Sequence, residues 1–327
     1  MQEYVSCNWI QHGVSFENNS IEMCCLCSHE GGGRIVLKDN YNGKGIKWDE
    51  IFKIKNNFIE ENKKGIINPK CKGCFNLRKQ AWDDDKKYIN YIHFNHWTNC
   101  NCDCIYCYTQ WDKEAFNKRP HYKAMPMLKE LINKNLFIPG GEITFAGGEP
   151  TILDEFDDII DLLIKNGTDR ITVHSSGIKY SKAIEKGIKA GVVYVCLSAD
   201  SGTAETYNVV KRVDKFDKFW QNVEKYASFQ PDDKKYLVET KYILIPDCNT
   251  NKLEIEKWFN LNLACEVHSI VFDIEDVYCK TLREQNIKMP EEIINLAKYM
   301  ISRAKDLGFN VTYYNNFRYL AEEHNLL

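Results

Sequence analysis

The sequence predicts an α/β protein in which parallel strands alternate with helices, preceded by a small cysteine-rich module. From residue 89 onward, short apolar runs alternate with segments of helical periodicity, as in a series of right-handed βα units. Ten of the fourteen cysteines lie within the first 107 residues, which sets that part of the chain apart. An apolar content of 44% and a charged content of 27% are typical of a globular protein with a large core.

The first 80 residues predict a hairpin followed by a helix. In GVSFENNSIEM, two short apolar runs flank Asn18 and Asn19, which predicts a turn at that pair. The apolar residues of WDEIFKIKNNFIEENKKG recur at helical spacing and a glycine follows them, so a helix is expected near 48–64. The charged segment 75–88 is expected to be a connector.

The remainder of the chain predicts six or so parallel strands with helices between them. The expected strands are YINYIHF, GEITFAGG, RITVHSS, VVYVCLSA, KYLVETKYILIP and HSIVFDIED. The expected helices are MPMLKELINKN, DEFDDIIDLLIKNG and segments near 181–190, 215–228, 252–261 and 291–307, with VTYY and a terminal helix at the end. Such units form either an open doubly wound sheet or a full or partial barrel, and their spacing alone does not decide between these folds.

Charge and hydropathy exclude several classes of protein. Lys and Arg total 43 and Asp and Glu total 46, so the net charge of −3 excludes a strongly basic nucleic-acid coat. The longest uncharged apolar stretch, Ala190 to Ala199, is too short to span a bilayer. The N-terminal MQEYVSCNWIQHG lacks the basic and apolar regions of a signal peptide, so a cytoplasmic location is expected. In a reducing compartment, clustered cysteines are expected to be metal ligands rather than disulfides.

One cysteine group follows the first strand of the βα series. Cys100, Cys104 and Cys107 are spaced C-x3-C-x2-C, at a strand end, where α/β proteins carry their chemistry. Three thiolates suit a 4Fe–4S cluster in which the fourth iron is open to another ligand. A zinc site would need a fourth ligand from Cys102 or His96, and this spacing fits a closed tetrahedral site poorly.

The segment HWTNCNCDCIYCY resembles the C-x3-C-x-aromatic-C signature of the radical S-adenosylmethionine (SAM) superfamily. GGEP at Gly147–Pro150 resembles the motif of that superfamily for the methionine amino group. The resemblance implies a partial (β/α)6 TIM-like barrel over residues 89–280 and a helix–strand–helix extension over 281–327. It also implies reductive cleavage of SAM to a 5′-deoxyadenosyl radical, which takes hydrogen from a substrate C–H bond, and an external electron donor such as flavodoxin or ferredoxin.

Further segments extend the resemblance to the SAM-contacting residues. SSG at Ser175–Gly177 resembles a ribose-contacting turn, and SADSGTAETYNVVKR resembles the fourth-strand segment of the SPASM/twitch subgroup. Lys211 stands at the usual arginine position and Arg212 comes next, so the residue that holds the SAM carboxylate is left open between them. The cofactor-binding residues implied by the resemblance are Tyr106, Gly147, Gly148, Glu149, Ser176, Ser198, Asp200, Lys211 and Arg212.

The N-terminal cysteines resemble the twitch half of SPASM domains. A cysteine precedes the hairpin, a second ends it, a helix with a tryptophan follows, and a C-x2-C pair closes the pattern. The resemblance implies a twitch-like α+β module over 1–80, a connector over 81–88 and a second, auxiliary 4Fe–4S cluster. Its implied ligands are Cys7, Cys24, Cys71 and Cys74, with Cys25 and Cys27 as alternatives to Cys24.

Two further features of this module concern the metal that it binds and the conformation of its turn. A four-cysteine zinc site has the same sequence requirements as the cluster. Asn19 stands where the related sequences have a turn glycine, and a left-handed conformation is expected there.

The leading functional hypothesis is a radical SAM oxidoreductase. Four thiolates would close the auxiliary cluster, which favours electron transfer and the net oxidation of a small molecule such as a sugar or nucleotide-like metabolite. A peptide substrate or a redox-neutral reaction such as epimerisation is the alternative. The chain has no spare region for a leader-peptide-binding domain and no cysteine after Cys279, which both favour the small molecule. A non-enzymatic iron–sulfur or zinc protein is the alternative of another class, and it would need neither GGEP nor SADS…KR.

Several other residues have simpler interpretations. Asp83–Asp85 are expected in a solvated linker, and His93 and His96 in the core or in a supporting role. Cys196 lies in an apolar strand and is expected to be a small buried side chain. Glu275, at the end of the sixth strand, is a candidate for substrate contact, and no catalytic acid or base can be named.

Overall fold

The computed structural model describes residues 2–24, 34–82, 87–107 and 122–327. The chain divides into two compact units. Unit 1 comprises Met1–Asn99, Glu114–Pro150 and Asp158–Thr172, and unit 2 comprises Cys100–Lys113, Thr151–Asp157 and Val173–Leu327. The sequence-based boundaries at 1–80, 89–280 and 281–327 stay predictions.

Strands and helices alternate along the part of the chain that is described. The strands are β1 (Glu3–Ser6), β2 (Gly13–Glu17), β3 (Ile21–Glu22), β4 (Val36–Lys38), β5 (Arg78–Ala81), β6 (Tyr91–Asn95), β7 (Ile143–Phe145), β8 (Ile171–Ser175), β9 (Val193–Ser198), β10 (Val238–Leu244), β11 (Ser269–Ile274) and β12 (Asn310–Tyr313). The helices are α1 (Asn8–His12), α2 (Trp48–Lys63), α3 (Met125–Asn133), α4 (Phe156–Lys165), α5 (Lys182–Lys189), α6 (Ala204–Lys211), α7 (Phe216–Ala227), α8 (Lys252–Ala264), α9 (Asp276–Glu284), α10 (Glu291–Asp306) and α11 (Asn315–Glu323). Short 3-10 turns lie at Pro69–Cys71 and Pro150–Ile152.

Unit 1 contains a sheet with the strand order β7-β6-β2-β3-β4 and a separate antiparallel pair of β1 with β5. The predicted hairpin is confirmed, because β2 and β3 pair antiparallel on either side of Asn18 and Asn19. The predicted helix is also confirmed as α2. Strand β2 pairs in parallel with β6, so the N-terminal hairpin belongs to the same sheet as the first strand of the βα series.

The structure corrects three local expectations in and beyond this region. The segment 75–88 is not wholly a connector, because β5 pairs with β1 along its full length. Asn19 is not among the described residues with a positive φ, so the left-handed conformation expected there is wrong; its carbonyl accepts a hydrogen bond from the backbone of Tyr41 at 2.6 Å. Helices α6 and α9 were not expected from the sequence.

Unit 2 is built on the parallel strands β9, β10, β11 and β12. Helix α8 covers one face of this sheet. Thr240 donates a hydrogen bond to Asn262 of α8 at 2.5 Å, and the rings of Tyr242 and Phe272 pack against Trp258. Neighbouring residues on the same strands therefore point to the opposite face, because side chains alternate along a strand.

The fold is a mixed α/β fold with a parallel sheet, consistent with a partial TIM-like barrel. The expected strands of the βα series are confirmed as β6 to β12. None of the described helices is long and apolar enough to cross a bilayer.

Candidate functional site

Residues 100–107, here called the cluster loop, belong to unit 2 and lie against the C-terminal end of α6. The backbone N–H of Asp103 donates to the carbonyl of Lys211 at 3.1 Å, and that of Ile105 donates to the carbonyl of Val210 at 3.0 Å. These bonds satisfy carbonyl groups that a helix leaves without intrahelical partners at its C-terminus. The helix end thereby fixes the backbone between Cys100 and Cys107.

Side chains add a second attachment beneath the loop. The hydroxyl of Tyr106 donates to Asp200 Oδ2 at 2.5 Å and accepts from Lys211 Nζ at 2.7 Å. Lys211 also pairs directly with Asp200 Oδ2, while Asp200 Oδ1 accepts from the backbone of Ile243 at 2.8 Å. Asp200 and Lys211 are fully buried, so this ion pair is shielded from water.

Electrostatic interactions around Asp200 keep the ammonium of Lys211 charged. Burial acts to lower the pKa of Lys211, but the attraction of Asp200 outweighs it and raises that pKa. Burial, together with the nearby charge of Asp200, raises the pKa of Tyr106, so its hydroxyl stays protonated and donates. Asp200 adopts a left-handed backbone with φ of 55°, which aspartate tolerates better than most residues.

The thiols of the cluster loop lie close together. The backbone of Cys102 donates to Cys100 Sγ at 3.4 Å, and a hydrogen bond from the Cys102 side chain lowers the pKa of Cys104 to about 6. The thiolate is the form that binds iron, so the donor set of Cys100, Cys104 and Cys107 fits a cluster bound by three cysteines. Within the described residues, no group of three His, Cys, Asp or Glu side chains has metal-binding geometry.

The SSG turn contacts the cluster loop directly. Ser176 donates from its hydroxyl to Asn101 Oδ1 at 2.8 Å. Gly177 has a φ of +74°, and a Cβ there would lie 2.7 Å from the ring of Phe219. The turn is therefore packed between the loop and helix α7, while Ser198 lies partly exposed at the end of β9.

The GGEP turn belongs to unit 1, where it packs against the segment that follows β6. Gly148 donates from its backbone to the carbonyl of Trp97 at 3.2 Å, and Glu149 donates to that of Asn99 at 2.8 Å. A Cβ on Gly147 would lie 2.7 Å from Asn95 Oδ1, and one on Gly148 would lie 2.1 Å from the Asn99 carbonyl. Both glycines are thus required by the protein's own packing, whatever ligand the turn binds.

The two candidate residues for the SAM carboxylate differ sharply in environment. The ammonium of Lys211 is buried and bound to Tyr106 and Asp200. The side chain of Arg212 is 52% exposed and forms a salt bridge to Asp103 at 3.2 Å. Of the two, Arg212 has the cation that a ligand could reach.

The four cysteines predicted to form the auxiliary site line one pocket in unit 1, here called the cysteine pocket. Cys7 begins α1 and its sulfur accepts a hydrogen bond from Ile10 at 3.4 Å. Cys71 and Cys74 are joined by a tight turn in which the Cys74 backbone donates to the Cys71 carbonyl at 3.0 Å. Cys24 completes the set, and the rival ligands Cys25 and Cys27 lie outside the described residues.

The thiols of the cysteine pocket influence one another electrostatically. Burial, together with the charges of Cys7, Cys24 and Cys74, raises the pKa of Cys71 to about 12. Ionising all four sulfurs together would be unfavourable without a cation among them. The donor set therefore fits a metal centre bound by four thiolates, and it fits iron and zinc alike.

Comparison with known proteins identifies the family. The sequence profile of the Radical SAM superfamily matches residues 94–254, a range that contains the cluster loop, the GGEP turn and Lys211. Residues 94–254 form a radical SAM domain. Its curated relatives include the GTP 3′,8-cyclase of Vibrio atlanticus, 21% identical over 178 residues, which cover 54% of this chain and 52% of the relative.

Two further comparisons agree with the radical SAM assignment. The GTP 3′,8-cyclase of Clostridium botulinum is 24% identical over 245 residues, which cover 67% of this chain and 76% of that protein. The crystal structure of Streptococcus suis SuiB shares the fold with a TM-score of 0.55 at 11% identity, covering 87% of this chain and 59% of SuiB. The chain spans about half the length of the first curated relatives that it matches.

Several of the other residues considered in the sequence analysis are engaged or buried within the protein. Glu275 caps helix α9, accepting backbone hydrogen bonds from Val277 at 2.9 Å and Tyr278 at 2.5 Å, so its carboxylate is used within the protein. His93 is buried and contacts Ser15 at 2.9 Å, as expected of a core histidine. His96 and Cys196 are also buried, while Asp83–Asp85 lie outside the described residues.

Sequence reasoning missed a polar face of unit 2. Thr240 and Tyr242 face helix α8, so Glu239 and Lys241 on the same strand point to the other face. On the neighbouring strand β11, Asp273 is paired in register with Ile243, so its side chain lies on the same face of the sheet as Glu239 and Lys241. Burial raises the pKa of Asp273 to about 6. The alternation of charged residues in VETKYIL is the sequence signal that predicts this face.

The buried ion pair beneath the cluster loop gives a prediction about stability. We expect Lys211→Met to destabilise the protein by about 3–5 kcal/mol, because it leaves the Asp200 carboxylate buried without its partner. Arg212→Met is the matched control on the next residue, and loss of its exposed salt bridge is expected to cost no more than about 1 kcal/mol. Urea denaturation of the three proteins measures the difference. Equal costs for the two variants would show that the buried pair does not hold the loop in place.

Proposed function

We propose that this chain is a radical SAM oxidoreductase that takes hydrogen from a C–H bond of a small molecule, sugar-like or nucleotide-like, using an auxiliary centre as electron acceptor. The observation that carries the proposal is the cluster loop, whose three cysteines lie on one backbone segment fixed to the end of α6. When bound there, a 4Fe–4S cluster supplies a single electron to SAM. The remaining tasks of binding and orientation are assigned to side chains of this chain.

Each side chain of the cluster loop has a separate task in this proposal. Cys100, Cys104 and Cys107 hold the three irons that the protein binds. Tyr106 is held by Asp200 and Lys211, so the aromatic residue between two ligands has a fixed position. The backbone bonds of Asp103 and Ile105 to α6 and the side-chain bonds of Tyr106 fix the loop. This rigidity suits the proposal, because catalysis requires the reacting groups to be held in place before the reaction begins.

Roles in SAM binding are assigned residue by residue, within each unit separately. The carboxylate of Glu149 suits the methionine ammonium, since a charge-assisted hydrogen bond is the strong form of such a contact. Ser176 is already oriented by Asn101 of the cluster loop. Arg212 is preferred to Lys211 for the SAM carboxylate because its guanidinium is exposed. Ser198, at the end of β9, is assigned to the same ligand.

A small-molecule substrate is supported by the relatives, whose names specify a nucleotide, GTP. The polar face of unit 2 offers chemistry suited to such a ligand. Lys241 makes no salt bridge with any described residue and can bind an anionic group, and Asp273 can exchange a proton near neutral pH. These two residues replace Glu275 as the candidates for substrate contact.

Net oxidation is supported by the cysteine pocket. Four thiolates leave a bound cluster no position for a substrate, so such a centre suits electron transfer. In the proposed reaction the substrate loses one hydrogen atom to the SAM-derived radical and then one electron to the auxiliary centre, with a proton released to solvent. An external one-electron donor of the flavodoxin or ferredoxin class would supply the electron for SAM cleavage, and the electron left on the auxiliary centre would return to a carrier of the same class. The cysteine pocket is assigned to a twitch-type module on the same grounds.

Anaerobic reconstitution tests the proposal. The protein is loaded with iron and sulfide, and we expect about eight iron atoms per chain from two four-iron clusters. Dithionite and SAM should then yield 5′-deoxyadenosine, while protein without added iron should yield none. Nucleotides, nucleoside diphosphate sugars and peptides are then tested as substrates, and the masses of the products are measured by mass spectrometry. A product two hydrogens lighter supports oxidation, whereas a product of unchanged mass supports a redox-neutral reaction, and absence of 5′-deoxyadenosine contradicts the proposal as a whole.

A further inference from the structure

Helix α2 carries a lysine in its buried face. Trp48, Ile51, Phe52 and Ile59 form the apolar side of this helix, and Lys55 occupies the position between them. The exposed fraction of Lys55 is 1%, although lysine is among the residues least often buried. A sequence that places a charge at a core position requires a physical reason for it.

The hydrogen bonds of Lys55 lead to the cysteine pocket. Its ammonium donates to the carbonyl of Trp9 at 2.8 Å and to that of Gly13 at 2.7 Å. These carbonyls belong to the short helix α1 and the residue directly after it, and Cys7 begins this helix. Trp9 itself lines the cysteine pocket. The ammonium is therefore attached to the element that presents Cys7.

The two carbonyls do not supply an opposite charge. Lys55 forms no salt bridge with any described residue, and burial lowers its pKa to about 7. The thiolates of Cys7 and Cys24 act in the opposite direction on the pKa of Lys55. Burial raises the pKa of Cys7, and the charge of Lys55 opposes that rise. An isolated ammonium in the interior is unfavourable, so the arrangement becomes favourable when the neighbouring sulfurs carry negative charge.

We propose that Lys55 is the counter-charge of the metal centre in the cysteine pocket and raises its reduction potential. The inference rests on the proposed auxiliary 4Fe–4S cluster. Such a cluster with four thiolates is anionic, and reduction adds one further negative charge with no bond formed or broken. A fixed positive charge nearby stabilises the more negative state, because net charge and surroundings set the potentials of iron–sulfur centres. Lys55 thereby favours transfer of an electron from a substrate radical to this centre.

The test measures the potential of the auxiliary cluster alone. The Cys100, Cys104 and Cys107 positions are all changed to Ala in the full chain, so that one cluster gives the signal. We expect Lys55→Met in this background to disfavour reduction about tenfold, which lowers the midpoint potential by about 59 mV for a one-electron couple. Electron paramagnetic resonance during a dithionite titration gives the potential. Lys53→Met, an exposed lysine on the same helix, is the matched control and should leave the potential unchanged.

A second variant separates charge from hydrogen bonding. Lys55→Gln keeps a hydrogen-bond donor but loses the positive charge. It also replaces Lys55→Met in the measurement of the potential if that variant does not fold. The glutamine variant should show the same downward shift, and a wild-type potential in it would overturn the proposal. If the parent binds a cluster but neither variant changes its potential, the role of Lys55 is refuted and the auxiliary cluster stands. If the parent binds zinc or no metal in the cysteine pocket, both inferences fail together.

Discussion

The variant in which Cys100, Cys104 and Cys107 are all replaced by Ala is expected to lose SAM cleavage completely. These thiols are the protein ligands assigned to the cluster, and no side chain elsewhere in the cluster loop can replace three of them. Iron content is expected to fall from about eight to about four atoms per chain, because the cysteine pocket keeps its own four ligands. The measurements are iron and sulfide analysis after anaerobic reconstitution and quantification of 5′-deoxyadenosine by chromatography.

Two single substitutions serve as controls for this variant. Cys265→Ala removes the thiol at the C-cap of helix α8, which contacts the carbonyl of Trp220, and should leave both measurements unchanged. Cys102→Ala changes a fourth thiol within the loop and is expected to have little effect, since a thiolate at the open iron would displace SAM. Continued formation of 5′-deoxyadenosine by the triple variant would show that the loop is not the site of cleavage.

Replacement of Cys71 and Cys74 by Ala is expected to separate SAM cleavage from product formation. The double variant removes two of the four thiols in the cysteine pocket and leaves the cluster loop intact. It should still produce 5′-deoxyadenosine, because that step needs no auxiliary centre. Oxidised product should be lost, because the substrate radical has no electron acceptor. The two yields, measured in one reaction mixture with a substrate found among the compounds tested, check this expectation.

Other results of the same experiment would change the mechanism. If the double variant still forms product, the auxiliary centre takes no part in the electron balance. If the wild-type pocket contains zinc and the chain holds only four irons, net oxidation through this centre is refuted and a redox-neutral reaction such as epimerisation becomes the better hypothesis. Iron loss beyond four atoms in the double variant would indicate that the two sites do not fold independently.

The features that sequence predicted well are those encoded locally. The cysteine spacing of the cluster loop, the hairpin at Asn18 and Asn19, and helix α2 each depend on residues within a short segment. Side-chain partners over long separations were not predictable. Tyr106 and Asp200 are 94 residues apart, and only the fold shows that Asp200 is committed to Tyr106 and Lys211 instead of being free for a ligand.

The roles of two charged residues have signals in the sequence. Glu275 precedes a helix by one residue, where a carboxylate caps backbone N–H groups, so a structural role could have been expected. Lys55 is four residues from both Ile51 and Ile59, the spacing of a shared helical face, so its burial could also have been predicted. In both cases the position of the residue relative to its helix indicates the role of its side chain.

The pairing of β2 with β6 has a consequence for the order in which the chain is made. Ser15 and His93, which contact across these strands at 2.9 Å, are 78 residues apart. At a synthesis rate of about 5–20 residues per second, β2 must wait roughly 4–16 seconds for its parallel partner. During that interval β3 can cover one edge of β2, while the other edge and the apolar side chains of Val14 and Phe16 await the rest of unit 1. Until β6 has been made, the β2–β3 hairpin therefore exposes apolar side chains and an unpaired strand edge, the features that make an incompletely folded chain prone to aggregation.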